Sequence, residues 1–257
     1  MSLTQIAKEV GLSVDSTKKS SVSVIIPARN EAGNISNILD SVPKIGTNTE
    51  LIFVEGHSND GTLDECYRVK EKYSHKDISI LIQDGKGKGD AVRKAFLNAK
   101  NDVLMILDAD LTVPPNDLPK FFDAIVSGKG EFINGTRLVY QMEDEAMRFL
   151  NLLGNKFFSK VFTYLLEQRV KDTLCGTKVL WRKDYLKIVA GRKYFGNFDP
   201  FGDFDLLIGA AKLNLKIIEI PIAYRRRKYG STQIERFRHG ILLLKMTFFA
   251  FRKIKFI

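Results

Sequence analysis

From Ser21 onward, short apolar runs rich in β-branched residues alternate with segments whose apolar positions recur at helical spacing. "SVSVIIP" predicts a buried strand that stops at Pro27. "NEAGNISNILDSV" follows with helical spacing, and Asn30 and Glu31 occupy the place of a cap. The change of period then repeats. "TELIFVEG" predicts a second strand ended by Gly56, and "DGTLDECYRVKEKY" a second helix. "DISILIQD" predicts a third strand, "KGDAVRKAFLNAK" a third helix and "DVLMILDAD" a fourth strand. Strands alternating with helices through short connections imply parallel strands joined by right-handed crossovers. The expected fold class is α/β, with a mostly parallel central sheet and helices on both faces.

After Arg137 the rhythm changes. "EDEAMRFLNLLGNKFFSKVFTYLLEQ" predicts a long, aromatic-rich helical stretch, and "TKVLWRKDYL" returns to mixed structure. "FDPFGDFDLLIGAAKLNL" predicts a helix opening with acids, and "KIIEIPIAYRRR" a further strand. The tail "TQIERFRHGILLLKMTFFAFRKIKF" is helical and amphipathic, basic at both ends. Three parts follow: a flexible N-terminal arm over 1–20, one α/β unit over 21–235, and an amphipathic basic helix over 236–257. Within the arm, "LTQIAKEVGLS" faintly resembles the first half of a helix-turn-helix. The segment after it, "VDSTKKS", is a poor second helix, so a loosely held arm is the better reading.

Charge adds a class of partner. The 257 residues carry a net charge of +10, which favours anionic lipid, nucleic acid or phosphorylated ligands. The basic residues crowd the C-terminal part, from Arg225 to Lys255. The N-terminus lacks the apolar core of a signal peptide. No run reaches the roughly 20 apolar residues that span a bilayer. These features place the chain in the cytoplasm, with a peripheral seat on the inner face of the cell membrane through the C-terminal helix as an extension. That helix is also a candidate homodimer contact. Cys66 and Cys175 form neither a disulfide framework nor a metal-binding spacing. His57, His75 and His239 are scattered and receive no metal role.

The sharpest chemical signal is Asp108-Ala109-Asp110, at the end of the apolar run "VLMIL". In a turn just past a strand, both carboxylates can converge on one hard cation. Mg2+ or Mn2+ suits such oxygens, with substrate phosphates completing the coordination. Polar or glycine-rich loops also end the other three strands: Pro27-Ala28-Arg29-Asn30-Glu31, Glu55 to Thr62, and Gln83 to Asp90. Parallel sheets bind ligands at this edge. "GKGKGD" is neither a P-loop nor a Rossmann fingerprint, because order and spacing differ.

Together, "VIIPARNE", "GHSNDGT", "GKGKGDAVRKAF" and "ILDADLTVPP" resemble the donor-binding half of the inverting glycosyltransferase family two, with its GT-A fold and Rossmann-like donor half. Within that family the chain is similar to the dolichyl- and polyprenyl-phosphate sugar transferase branch, over roughly residues 21–235. The resemblance implies a nucleotide-diphosphate sugar donor and a metal-dependent, inverting transfer. It places Pro27, Arg29, Asn30 and Glu31 in the nucleotide pocket, with Glu55 on the base or ribose. The family pattern V-D-D-G-S-x-D-G-T here reads V-E-G-H-S-N-D-G-T, which leaves the nucleobase open. Asp60 is retained, with helix capping as its competing role. Lys86 and Lys88 match a donor-side loop. Asp108, Ala109 and Asp110 match the metal-binding segment, Asp110 being the better direct ligand; Thr112 stands where the branch often has Gln.

The second half extends the match. Arg137 is placed to reach a phosphate, and "DTLCGTKVL" resembles the acceptor-side segment, with Asp172 and Gly176. "GDFDLL" resembles the acidic helix start, so Asp203 and Asp205 are candidate bases, with capping as the alternative. "RRRKYGST" resembles the segment that closes over the diphosphate. Arg227 is its catalytic arginine, and Thr232 and Gln233 replace Ser and Lys. The acceptor is a glycan or glycolipid hydroxyl, or a polyprenyl phosphate that needs no base. The altered loops favour the hydroxyl slightly. Other classes remain: a nucleotidyltransferase, disfavoured because P-A-R-N-E lacks a glycine, and a basic nucleic-acid-binding module, disfavoured because Phe248, Phe249 and Phe251 sit in an apolar face.

Overall fold

The computed structural model describes residues 20–137, 145–191 and 202–223, Arg225, Arg227, Tyr229, Gly230 and six positions from Leu244 to Arg252. The arm before Ser20, Arg226, Lys228, Thr232, Gln233 and most of the expected C-terminal helix lie outside them.

Seven strands form one sheet: β1 (Val22–Ala28), β2 (Thr49–Glu55), β3 (Asp77–Ile82), β4 (Val103–Ile106), β5 (Phe132–Thr136), β6 (Lys178–Trp181) and β7 (Ile217–Pro221). The helices are α1 (Ala32–Ser41), α2 (Thr62–Lys72), α3 (Lys88–Asn98), α4 (Leu118–Val126), α5 (Glu145–Leu166), α6 (Arg182–Ala190) and α7 (Asp203–Lys212). The sheet order is β3-β2-β1-β4-β6-β5-β7. β6 runs antiparallel to both β4 and β5, and the other pairings are parallel.

Alternate residues of each strand feed two cores, one on each face. Ile25, Ile52, Val54, Leu104 and Phe132 face α3, α6 and α7. Val24, Ile26, Phe53, Met105 and Ile133 face α1, α2 and α4. Period-two side-chain direction accounts for this split. It explains why the strands read as continuous apolar runs.

Pro27 does not end β1, contrary to the sequence expectation. The strand continues to Ala28, whose carbonyl accepts the Gly56 N–H at 2.9 Å. Ile25 offers its carbonyl to Leu107 on the β4 side, so the missing N–H of Pro27 also faces β4. That ladder ends at Ile25 opposite Ile106, so the proline interrupts only a pairing that is already finished. Glu31 is the N-cap residue of α1 but makes no side-chain cap bond. Asp60 Oδ2 accepts the Ala32 N–H at 3.2 Å instead.

The chain runs outward from β1 to β3 and then returns to β4 on the other side of β1. This reversal opens a crevice at the carboxyl ends of β1 and β4, the usual ligand position in such sheets.

Candidate active site

The loops after β1 and β2 lock together at that edge. Asn30, at φ 55°, receives the Asn59 N–H on Oδ1 at 3.0 Å and donates its own N–H to Ser58 at 2.9 Å. The Glu31 N–H reaches the Thr62 hydroxyl at 2.9 Å. Asp60 ties two helix starts at once. Its Oδ1 accepts the Thr62 N–H at 3.1 Å, and its Oδ2 accepts the Ala32 N–H. Burial alone would raise its pKa, but these hydrogen bonds hold it below the usual range. Capping is therefore part of its work, across two helices. Glu55 is buried, and both of its oxygens accept loop amides, from His57 and Ser58. It shapes the loop after β2. Arg29 and Lys86 are exposed at the rim.

The glycine-rich loop after β3 is held from within. Gln83 donates to the Gly87 carbonyl at 2.8 Å, and Asp90 accepts the Gly85 N–H at 2.8 Å. This loop delivers Lys88 at the start of α3, where its ammonium pairs with Asp108. Burial works against both charges. The lysine nevertheless holds the Asp108 carboxyl low, and the negative charges of Asp108 and Asp203 hold Lys88 high.

Asp110 enters a separate set of bonds. Its Oδ1 accepts the Thr112 N–H at 3.0 Å and hydroxyl at 2.7 Å. Its Oδ2 lies 2.9 Å from Arg227 Nη2, and Nη1 of the same guanidinium lies 3.0 Å from Glu31 Oε1. Arg227 thus bridges the ends of β4 and β1. Burial raises the Glu31 pKa, and Arg227 offsets this only in part. Beyond the arginine, the ring of Tyr229 covers Gly33, where any Cβ would overlap it.

The residues expected on the acceptor side form a third cluster. Asp172 grips Arg137 through both oxygens, at 2.7 and 2.8 Å, and accepts its backbone N–H at 3.0 Å. Burial would raise Asp172, but Arg137 keeps it below the usual range. Gly176 sits against the first pair, since a Cβ there would overlap both Asp108 and Lys88. Asp203 pairs with Lys178 at 2.9 Å, and Asp205 lies 3.7 Å from Arg93.

Among the described residues, no group of three His, Cys, Asp or Glu side chains could enclose a cation. Two carboxylates one residue apart at a ligand-binding edge still suit a hard divalent ion that draws its remaining ligands from a diphosphate. Lys88 and Arg227 stand there as counter-charges.

Sequence reasoning did not find Lys178, Arg93 or Glu219. Glu219 of β7 accepts the N–H groups of Lys171 and Asp172, at 2.8 and 3.0 Å, and so seats the Asp172 turn. Lys178 had a visible signal, as a lysine inside the apolar run "TKVLW".

Comparison with known proteins gives a consistent picture. Residues 23–188 match the family model described as glycosyl transferase family 2. The chain is 28% identical over 228 residues to "Glycosyltransferase AglJ" of Haloferax volcanii, across 88% of this chain and 70% of that protein. It is 28% identical over 225 residues to the dolichyl-phosphate hexose transferase of the same organism, across 87% and 91%. It is 30% identical over 237 residues to the dolichol-phosphate mannosyltransferase of Pyrococcus furiosus, across 87% of this chain and 64% of that one. In fold it matches glucosyl-3-phosphoglycerate synthase from Mycobacterium tuberculosis, solved with Mn2+, UDP and glucosyl-3-phosphoglycerate. The TM-score is 0.66 at 16% identity, over 93% of this chain and 81% of that one.

Proposed function

The chain belongs to glycosyl transferase family 2, and from that premise we propose that it moves a hexose from a nucleoside-diphosphate sugar to a polyprenyl phosphate, inverting the anomeric carbon. It is a glycosyltransferase with the GT-A type of α/β fold, which sets aside the nucleotidyltransferase and nucleic-acid-binding readings. The transferase unit extends over 21–235.

The observation that carries the choice of acceptor is the state of the two candidate bases. Asp203 is held by Lys178, and Asp205 faces Arg93. A hydroxyl acceptor needs a carboxylate ready to take its proton. A phosphate oxygen is already an anion and needs none. Relatives named as dolichyl-phosphate hexose transferase and dolichol-phosphate mannosyltransferase support the same choice over the hydroxyl that the altered loops favour.

In this reading Pro27, Arg29, Asn30 and Glu31 receive the nucleotide, on a loop braced by Glu55 and Asp60. Lys86 adds charge at the rim. Asp110, with Asp108, would hold Mg2+ or Mn2+, which when bound neutralises the diphosphate and stabilises it as a leaving group. An acceptor phosphate oxygen attacks the anomeric carbon from the face opposite the diphosphate. The carbon–oxygen bond to the diphosphate breaks, and its electron pair leaves with that oxygen. Lys88 and Arg227 supply fixed positive charge where negative charge grows. Arg137, braced by Asp172 beside Gly176, supplies it on the acceptor side. The protein would work in the cytoplasm against the inner face of the cell membrane. Among the described residues no helix is long and apolar enough to cross a membrane.

The test is a transfer assay with polyprenyl phosphate in vesicles, UDP- or GDP-hexoses, and Mg2+ or Mn2+. A sugar-linked lipid phosphate whose glycosidic bond is cleaved by mild acid supports the reading. Transfer only to an oligosaccharide hydroxyl overturns the acceptor.

A further inference from the structure

Lys178 is 0% exposed and Asp203 is 6% exposed, yet both carry side chains that are charged in water. Taking two such groups out of water costs about what their attraction returns, so the pair does little for stability as such. Its placement is specific. Lys178 opens β6, and its Nζ donates to the Cys175 carbonyl at 2.5 Å while lying 2.9 Å from Asp203 Oδ1. One ammonium therefore grips both the turn 172–177 and the first residue of α7.

One gripped element touches the Asp108–Lys88 pair itself, and the other touches Gly89, the residue after Lys88. Gly176, inside the turn, lies against Asp108 and Lys88. Gly202, the left-handed cap of α7 at φ 77°, lies against Gly89, with room for no Cβ: one there would sit 2.7 Å from the Gly89 Cα. The far end of the turn carries Asp172 and through it Arg137. A shift of Lys178 would move this acceptor-side arginine relative to the donor-side carboxylate.

We propose that Lys178 and Asp203 form a buried positioning pair that seats the acceptor-side turn 172–177 against the donor site, so that Asp203 is a strut and no base. The inference rests on the two-substrate transfer reading above. Neither side chain touches the substrates; both act through Gly176, Asp172 and Arg137.

Two variants test it. Lys178→Met combined with Asp203→Leu replaces the pair by apolar groups of similar size, a change that buried ion pairs often tolerate without loss of stability. Asp203→Asn keeps the shape and removes the charge. Three measurements are made on each: calorimetric affinity for UDP and GDP with Mn2+, steady-state constants for the acceptor, and amide hydrogen exchange. The expected result is unchanged nucleotide affinity, faster exchange confined to 172–177, and acceptor kcat/KM lower by roughly ten- to a hundredfold, lost mainly through KM. A fall in kcat alone, with acceptor KM and exchange unchanged, makes Asp203 a base and overturns the proposal. Equal loss of nucleotide affinity and acceptor KM makes the pair a general structural element and overturns it too. If the double variant does not fold, Asp203→Asn decides alone. If the unaltered protein transfers only to a hydroxyl acceptor, the acceptor reading fails, and the same variants are assayed on that acceptor. If it transfers to nothing, the exchange pattern still decides, and unchanged exchange at 172–177 overturns the pair.

Discussion

Asp110 divides its carboxylate between the Thr112 amide and hydroxyl on one oxygen and Arg227 on the other. Removing it deletes the carboxylate proposed as the better metal ligand and leaves Arg227 with Glu31. Asp110→Ala is expected to abolish transfer and metal-dependent nucleotide binding while the folded protein keeps its circular dichroism and melting temperature. Normal turnover in a folded variant would remove Asp110 from the metal site. Asp172 makes a pH-dependent contribution. Its folded pKa is depressed, so its stabilisation is present above the ordinary aspartate value of about 3.9 and fades as pH falls through the lower folded value. Asp172→Asn should therefore melt lower than the unaltered protein at pH 7, with the gap closing below about pH 4. A gap independent of pH would deny the Arg137–Asp172 pair its role. At this scale the sequence showed the acids but not their partners. Asp108 and Asp110 stood out because carboxylates ended an apolar run. Arg227 reaches Asp110 from 117 positions away, a separation no local pattern encodes.

Element by element, the first half was legible because each strand and helix is a long run of one period. The strand after α4 was not. "FINGT" carries Asn and Gly, poor strand formers, and its burial depends on β6 and β7 on either side. Nor could the direction of β6 be read, because a four-residue strand, one lysine and three apolar residues, carries no signal of which way it runs. Loop geometry was equally hidden: Gly176 looked like a family marker, whereas its lack of a side chain is what lets the turn approach Asp108 and Lys88. Gly176→Ala should displace that ion pair and reduce transfer at least tenfold, with a smaller effect on the melting temperature. A fully active alanine variant would show that the turn has slack.

As a whole molecule, the chain pairs two ordinary apolar cores with an excess of ten positive charges. Surface attraction of that kind acts over a Debye length, about 8 Å at physiological salt. The protein should co-sediment with vesicles containing anionic phospholipid at low salt, detach as salt rises, and ignore neutral vesicles. Equal binding to neutral vesicles would point to apolar insertion instead.

The sheet order has one more consequence. Strands β3, β2, β1 and β4 come from residues 22–106, and β6, β5 and β7 from 132–221. In the sheet they meet at three residue pairs: Val103 with Trp181, Leu104 with Leu180, and Met105 with Val179. That junction is a seam, and it lies under the crevice proposed to bring donor and acceptor together. The two halves become one sheet only after β6, made late in synthesis, inserts between β4 and β5. A ribosome-bound chain that has emerged only through α4 already holds Asp108, Asp110 and the loops proposed to bind the donor, with one edge of β4 bare. Severing the exposed link after α4 would yield two fragments, each carrying half of a reaction, that regain it only by closing the seam.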